Sequence, residues 1–87
     1  MTKKQHWLVY ILKCSDGTLY TGITTDIKRR LDEHNDGSGS RYTRVRRPVT
    51  AVFTTEAENR SEASSLEIKI KKLSRKQKLL LIKNQSM

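Results

Sequence analysis

The sequence has a single cysteine, Cys14, no long hydrophobic run, and half as many acidic as basic residues. One cysteine excludes an internal disulfide and a cysteine-type metal cluster, and it is typical of a reducing, intracellular compartment. The longest unbroken apolar run, Trp7 to Leu12, is too short to span a bilayer, and no segment near the start has the pattern of a secretory signal. We therefore expect a soluble, cytoplasmic protein with no disulfide partner and no membrane partner.

The 87 residues include 18 Lys and Arg against nine Asp and Glu, and the resulting net charge of +9 is spread along the chain. Such a field attracts polyanions, and it favours nucleic acid over acidic protein surfaces or anionic lipid. The length suits one domain with one core, and no repeat or linker divides the chain. We predict a single domain, 1–87, with its motifs in a core at 7–82.

Two strands are predicted near the start of the chain. WLVYILKC, from Trp7 to Cys14, is rich in β-forming residues, and it is followed by the turn signal Ser15-Asp16-Gly17 and a second strand from Thr18 to Ile23. The first strand is apolar on both faces. It is therefore predicted to be a central strand that is covered on both sides.

The loop between these strands decides whether two tyrosines share a face of the sheet. A two-residue Asp16-Gly17 turn would place Tyr10 and Tyr20 on opposite faces, because side chains alternate along a strand. A three-residue loop with Gly17 left-handed would place both on the same face. We favour the three-residue loop, which pairs Tyr10 with Gly22 and predicts open space for a ligand above the phenol.

The stretch from Tyr20 to His34, YTGITTDIKRRLDEH, joins the second strand to a helix. The helix can be capped by Thr24, Thr25 or Asp26. Its apolar stripe is formed by Ile27 and Leu31 and continues to His34, and Arg30 lies on the same side. Arg30 either lays its stem on apolar surface with its head in water, or points with His34 into a site beside Tyr20.

The next segment, NDGSGSRYTRVRRP at 35–48, has no apolar periodicity and is predicted to be an exposed basic loop. It is either simply solvated or a nucleic-acid contact in which cations follow the phosphates and an aromatic ring stacks on a base. Its candidate nucleic-acid-binding residues are Arg41, Tyr42, Arg44, Arg46 and Arg47. A third, shorter strand is predicted from Val49 to Thr55.

A second helix is predicted from Asn59 or Ser61 through Leu73, with Ala63, Leu66, Ile70 and Leu73 as its buried stripe. Glu67 borders this stripe and either pairs with Lys71, four residues later, or faces a site. Ser74 followed by Gln77 is a capping-box pattern, which predicts a third helix with a basic surface. Further candidate nucleic-acid contacts here are Lys71, Lys72, Arg75 and Lys76.

With these parts in order, the sequence resembles a GIY-YIG nuclease domain, and in particular the small single-domain bacterial members of the YhbQ type. The two motifs stand here as Leu8-Val9-Tyr10 and Tyr20-Thr21-Gly22, and they are followed at the family's spacing by Arg30, His34 and Glu67. Leu8 replaces a glycine of the motif, and Val9 and Thr21 replace isoleucines. These positions support the backbone, so the residues of the chemistry are retained.

The resemblance implies an α+β fold, a three-stranded antiparallel sheet flanked by three helices in the order β-β-α-β-α-α. This order agrees with the elements predicted from the residues. The implied activity is cleavage of DNA phosphodiester bonds with one divalent cation, Mg²⁺ or Mn²⁺, in DNA repair or recombination.

The resemblance also implies a role for each of the five motif side chains. Glu67 would bind the metal, and Arg30 would clamp the non-bridging phosphate oxygens. Tyr10 would position and deprotonate the attacking water, which requires neighbouring cations to lower the pKa of its phenol. Tyr20 would orient water or phosphate, and His34 would relay the proton or fix Tyr10.

A second hypothesis is a nucleic-acid-binding module that uses the same basic surface without turnover. We expect a domain of this size to bury little duplex and to carry no appended targeting domain. The expected partners are therefore DNA, including branched or damaged DNA, and an accessory targeting protein.

Overall fold

The computed structural model of the protein describes residues 6–85. Its sheet has three antiparallel strands, β1 (Trp7–Lys13), β2 (Leu19–Thr24) and β3 (Thr50–Ala57), in the spatial order β2-β1-β3. β1 is central, as its two apolar faces predicted. The third strand begins one residue later and ends two residues later than the sequence indicated.

The helices are α1 (Ile27–Asp36), α2 (Arg41–Arg44), α3 (Arg60–Lys71) and α4 (Arg75–Gln85). The predicted α+β class and element order are confirmed, with α2 as an addition inside the segment that was predicted to be a loop. Ser40 caps this single turn, because its side chain accepts a hydrogen bond from the Thr43 amide. Four residues are too few to show helical periodicity in a sequence, which is why the pattern did not predict the helix.

The loop between β1 and β2 is the three-residue form that the sequence analysis favoured. Gly17 has a φ of 85°, and the Cys14 amide donates to the Thr18 carbonyl at 2.9 Å. Leu12 consequently pairs with Tyr20, and Tyr10 pairs with Gly22. Both tyrosines therefore lie on the same face of the sheet.

The side chains on the two faces of β1 pack into different clusters. Val9 and Ile11 belong to an apolar cluster completed by Phe53, Ala57, Ala63 and Ile70, so α3 covers this face. Tyr10 and Leu12 belong to a second cluster with Cys14 and Val49, against which Ile27 and Leu31 of α1 pack. Cys14 is a buried free thiol. The alternation of side chains along one strand thus separates an apolar face from a face that carries polar groups.

The helix ends follow the signals in the sequence. Asp26 caps α1 and accepts a hydrogen bond from the Arg29 amide, and Asn59 caps α3 in the same way. Ser74 and Gln77 form the predicted capping box at the start of α4, each accepting from the other's amide. Within residues 6–85, none of the helices combines the length and apolar character needed to cross a membrane.

Candidate active site

Tyr10 lies at the centre of the polar face and is 1% exposed. Its phenol extends across Gly22 of β2, where an added Cβ would collide with Oη and Cζ of Tyr10. The sequence predicted open space for a ligand above this phenol, and that prediction is wrong, because the phenol itself fills the space over the glycine. Gly22 therefore lets the Tyr10 hydroxyl reach the β2 edge of the sheet.

His34, near the C-terminal end of α1, is fully buried beside Tyr10. Its Nε2 lies 3.0 Å from Tyr10 Oη, and its Nδ1 lies 2.7 Å from Thr43 Oγ1. α1 ends at Gly37, whose φ of 95° favours glycine, and Gly39 then passes so close to His34 that a Cβ there would meet the ring. A continuous hydrogen-bonded chain therefore runs from Tyr10 through His34 to Thr43.

Arg30 lies one helical turn before His34 and is partly buried. Its Nη1 is 3.0 Å from Glu33 Oε1, and its Nη2 donates to the Gly39 carbonyl at 3.2 Å. The positive charge of the guanidinium also acts on the Tyr10 phenol and favours its ionised form. Arg30 is thus held with its fixed positive charge beside the phenol.

Tyr20, on β2, places its ring among the other aromatic groups of the site. The ring centroids of Tyr20 and His34 are 5.2 Å apart, and those of Tyr20 and Tyr10 are 6.5 Å apart. On the other side, Tyr20 stacks with Tyr42 of α2 at a centroid distance of 5.8 Å. Tyr20 therefore connects the buried chain of hydrogen-bonded side chains to the basic segment that contains α2.

The electrostatics of Tyr10 differ from the sequence-based expectation. Burial raises the pKa of the Tyr10 phenol, and the charges of Tyr20 and Glu67 add to this rise, while Arg30 opposes it without overcoming it. Direct action of the phenol as a base would require a pKa below the ordinary value. The cations around Tyr10 do not lower its pKa that far. The phenol is neutral near pH 7 and can become a base only by giving up its proton.

His34 is also held in its neutral form. Burial lowers the pKa of the imidazole, and the positive charge of Arg30 lowers it further, while Glu33 acts in the opposite direction. A neutral imidazole has one nitrogen that accepts a hydrogen bond and one that donates. His34 can therefore exchange a proton with Tyr10 at Nε2.

Glu67 lies on α3, and its negative charge is close enough to act on Tyr10. Its Oε2 is 3.5 Å from Lys71 Nζ, so the i, i+4 pair considered in the sequence analysis is present. The side chain is still 22% exposed, which leaves the carboxylate accessible from solvent. The two interpretations of Glu67, a partner of Lys71 and a residue of the site, are thus compatible.

The donor set around Glu67 fits only one kind of metal site. Among residues 6–85 there is no cluster of three or more His, Cys, Asp or Glu side chains that could enclose a metal ion. Mg²⁺ and Mn²⁺ accept oxygen ligands, and Mg²⁺ commonly keeps several waters and binds through one or two carboxylates together with substrate phosphates. Glu67 fits such a single-carboxylate site, and a site built wholly from protein ligands does not fit.

The arginines of the segment 41–47 have two different environments. Arg46 lies over the Tyr42 ring at 4.0 Å and pairs with Asp16 at 3.1 Å, and Arg47 Nε donates to the Arg44 carbonyl at 2.7 Å. The side chains of Arg41 and Arg44 are exposed, and neither forms an ion pair with any residue in 6–85. Arg41 and Arg44 are therefore the cations of this segment that are available to an anionic partner.

Tyr42 is 38% exposed and already has two neighbours, Tyr20 and Arg46. The other predicted nucleic-acid contacts lie at the junction of α3 and α4, where their side chains are exposed to solvent. They are Lys71, Lys72, Arg75 and Lys76. The predicted basic residues thus lie in two groups, one around α2, in which Arg46 is partly buried, and one exposed group at this junction.

The residues that hold His34 from the side of α2 were not predicted from the sequence. Thr43 is fully buried, and Ser40 both caps α2 and contacts the Thr43 hydroxyl at 3.0 Å. Asn35 fixes the return of the chain to the sheet, because its side-chain amide donates to the Val49 carbonyl and accepts from the Val49 amide. Ser40 and Thr43 stand at N-cap spacing, a signal that could have revealed the helical turn.

The motif residues and the fold agree with comparisons to known proteins. A family model described as the GIY-YIG catalytic domain matches residues 6–80. The chain belongs to the GIY-YIG family. The resemblance inferred from the two tyrosine motifs is therefore confirmed.

Relatives in this GIY-YIG family extend over most of the chain. The chain is 54% identical to a UPF0213 protein of Desulfotalea psychrophila, over 94% of this chain and 76% of the relative. It is 56% identical to a UPF0213 protein of Halobacterium salinarum, over 80% of this chain and 91% of the relative.

Two solution NMR structures share the fold. The protein EF2693 from E. faecalis is 46% identical with a TM-score of 0.64, and the match covers 99% of this chain and 92% of that one. The UPF0213 protein BH0048 from Bacillus halodurans is 44% identical with a TM-score of 0.58, over 90% and 83% of the two chains. Family membership supports a nuclease-type function.

Proposed function

We propose that the protein is a divalent-metal-dependent endonuclease that hydrolyses DNA phosphodiester bonds. The observation that carries the proposal is the convergence of Tyr10, Tyr20, Arg30 and His34 at one edge of the sheet, with the Glu67 carboxylate acting on the same phenol. Convergent polar groups with perturbed pKa values are characteristic of catalytic sites. The exposed arginines beside this edge supply the positive charge that a polyanionic substrate needs.

In this proposal the residues of the site divide the work of phosphodiester hydrolysis. Arg30, whose guanidinium is oriented by Glu33 and Gly39, binds the non-bridging phosphate oxygens with a planar pair of donors. Tyr10 takes a proton from the attacking water after passing its own to His34, whose Nε2 is 3.0 Å away. The Tyr20 hydroxyl orients the water or the phosphate.

Glu67 is the residue that would hold the metal. The chemistry that Mg²⁺ or Mn²⁺ supplies when bound is the stabilisation of charge on the phosphate and on the departing oxygen. The Lys71 ammonium, 3.5 Å from Glu67 Oε2, pairs with the carboxylate in the free protein. Lys71 is also exposed at the edge of the second basic group, from which it can contact a neighbouring phosphate.

The proposal extends to the setting in which the enzyme acts. A domain of 87 residues buries little duplex, so we include an accessory protein that brings it to branched or damaged DNA during repair or recombination. The buried free thiol of Cys14 is compatible with the reducing cytoplasm.

The experiment that tests the proposal is cleavage of labelled single-stranded, duplex, flap, fork and Holliday-junction DNA with Mg²⁺, with Mn²⁺ and with chelator. The wild type is compared with Glu67→Gln, and with Glu56→Gln as a control that removes an exposed glutamate of β3. We expect metal-dependent cleavage by the wild type and the control, and a loss of about 100-fold or more in Glu67→Gln. Cleavage by Glu67→Gln at the wild-type rate would contradict the role of this carboxylate.

Two observations favour a second candidate, a nucleic-acid-binding module without turnover. The Glu67 carboxylate is engaged by Lys71, and the Tyr10 phenol is neutral, so in this candidate the exposed arginines and lysines act alone. The same experiment separates the two functions. Tight binding of the panel by the wild type, without metal-dependent cleavage of any member, would favour the binding module.

A further inference from the structure

Thr43 is a buried polar residue for which the proposed chemistry has not yet accounted. It is 0% exposed, and its hydroxyl lies 2.7 Å from His34 Nδ1, on the opposite side of the imidazole from Tyr10. Buried polar groups are normally hydrogen-bonded, and the partner of one imidazole nitrogen determines which nitrogen carries the proton. The direction of the hydrogen bond between Thr43 and His34 therefore controls what His34 can do for Tyr10.

The hydrogen bond between Tyr10 and His34 defines this direction. The phenol is neutral near pH 7 and buried, so its O–H requires an acceptor inside the protein. The Arg30 guanidinium cannot accept a hydrogen bond. Among residues 6–85 the acceptor within reach of Tyr10 Oη is His34 Nε2, at 3.0 Å. Nε2 must then be unprotonated, and the neutral imidazole carries its proton on Nδ1.

The Thr43 end is compatible with the same direction. Thr43 Oγ1 can donate its single proton to the Ser40 carbonyl at 3.3 Å, which leaves its lone pairs free to accept from His34 Nδ1. The competing direction has the Ser40 hydroxyl donating to Thr43, which in turn donates to Nδ1. That direction places a proton on Nε2 and leaves the buried Tyr10 O–H without an acceptor.

We propose that Thr43 is a positioning residue that holds His34 in the Nδ1–H tautomer, so that Nε2 faces Tyr10 as a proton acceptor. The catalytic consequence rests on the proposed nuclease function. In that reaction the Tyr10 O–H bond breaks as an N–H bond forms at His34 Nε2, and Tyr10 takes a proton from water. The water oxygen forms a bond to phosphorus and the bond to the leaving oxygen breaks. The leaving oxygen takes a proton from solvent, and His34 releases its extra proton to solvent.

The tautomer can be measured without any cleavage assay. We would record long-range ¹H–¹⁵N correlations of the imidazole rings in ¹⁵N-labelled protein at a pH where both histidines are neutral. The exposed His6 provides an internal reference for an imidazole in water, and a His6→Gln variant assigns the signals. We expect His34 to show a protonated Nδ1 and an unprotonated Nε2. A protonated Nε2 in the wild type would overturn the proposal.

Two substitutions at residue 43 separate the hydroxyl from the shape of the side chain. Thr43→Ser keeps the hydroxyl, and we expect it to keep the Nδ1–H tautomer. Thr43→Val is nearly isosteric but has no acceptor, so an unpaired Nδ1–H then competes with an unpaired Tyr10 O–H, and we expect a mixture with a measurable share of the Nε2–H tautomer, in a protein whose amide spectrum remains dispersed. An unchanged tautomer in Thr43→Val would overturn the role of Thr43.

A third variant tests the direction independently, and it remains informative where Thr43→Val does not fold. Ser40→Ala removes the hydroxyl that donates to Thr43 in the competing arrangement, and it retains the Ser40 carbonyl that accepts from Thr43 in the proposed one. We expect His34 to stay in the Nδ1–H tautomer, whereas a shift of the proton to Nε2 would contradict the proposed direction.

The cleavage assay then connects the tautomer to the reaction. We expect Thr43→Val to reduce kcat by up to about 100-fold at nearly unchanged KM, with recovery in Thr43→Ser, since proton transfer by a positioned group contributes at least that much. A wild-type kcat in a Thr43→Val protein whose tautomer has shifted would overturn the catalytic consequence. Absence of cleavage by the wild type would instead contradict the nuclease function and leave the tautomer result standing.

Discussion

The two faces of β1 belong to one strand but have different roles. On one face, Val9 and Ile11 pack in an apolar cluster with α3. On the other, Tyr10 lies in a buried chain of polar groups with His34 and Thr43. Burial of apolar groups stabilises a fold. A buried hydrogen-bonded pair contributes little net free energy, but removing one partner lowers the stability of the protein, because the other partner stays buried and unpaired. The comparison predicts that substitutions one residue apart separate stability from activity.

The largest effect is expected on the polar face. Tyr10→Phe removes the hydroxyl that passes a proton to His34 and keeps the ring that packs over Gly22. We expect DNA cleavage to fall by about 100-fold to 10,000-fold, the contribution of a positioned acid or base. Loss of the hydrogen bond should lower the free energy of unfolding by only about 1–3 kcal/mol. Initial cleavage rates and urea denaturation of the same samples measure both quantities, and an undiminished rate would remove Tyr10 from the chemistry.

The adjacent substitution on the apolar face should show the opposite pattern. Ile11 is fully buried in the cluster with Phe53, so Ile11→Ala should lower the free energy of unfolding by about 2–5 kcal/mol. Cleavage per folded molecule should be nearly unchanged below the unfolding transition. Ile68→Ala is the control, since Ile68 is 52% exposed and should change stability by less than about 0.5 kcal/mol. An Ile11→Ala protein as stable as the control would contradict the assignment of this core.

A smaller effect is expected from the arginines that border the polar face. Arg41→Gln combined with Arg44→Gln removes two exposed charges that have no ion-pair partner within 6–85. If both contact phosphates, the slope of log affinity for DNA against log salt should become shallower by about 2. Lys13→Gln with Lys28→Gln is the matched control, because both lysines are exposed and the net charge changes equally. Equal slopes in the two double variants would exclude the α2 segment from the DNA interface.

The smallest effect is expected from pH, and it also belongs to the polar face. Burial and Arg30 lower the pKa of His34 below its ordinary value of 6.5, so the unfolded state binds more protons than the folded state as the pH falls below that value. The contribution of His34 to the free energy of unfolding is complete above about pH 6.5 and is lost as the pH falls toward the folded pKa. Wild type should therefore lose more stability than His34→Asn between about pH 8 and pH 5. Parallel curves of the free energy of unfolding against pH for wild type and His34→Asn would show that His34 does not titrate in this way.

Much of the frame could be predicted from the sequence because it depends on local signals. The apolar run of β1, the left-handed Gly17 and the capping box at Ser74 each act over a few residues, and each appears in the structure as expected. The placement of Tyr10 and Tyr20 on one face followed from the length of a single loop. The family was recognisable for the same reason, since its motifs are short and ordered along the chain.

What the sequence by itself determined is thus the order of the elements, their caps and the faces on which the candidate site residues lie, because periodicity and turn chemistry are local. Only the tertiary structure decided the rest. The contact of Thr43 with His34 depends on how the chain turns back after Gly37, and the phenol of Tyr10 meets Gly22 across two strands. The raised pKa of Tyr10 depends on its burial and on charges from α1, β2 and α3. Burial and distance between remote residues are properties of the packed chain, and no local pattern encodes them.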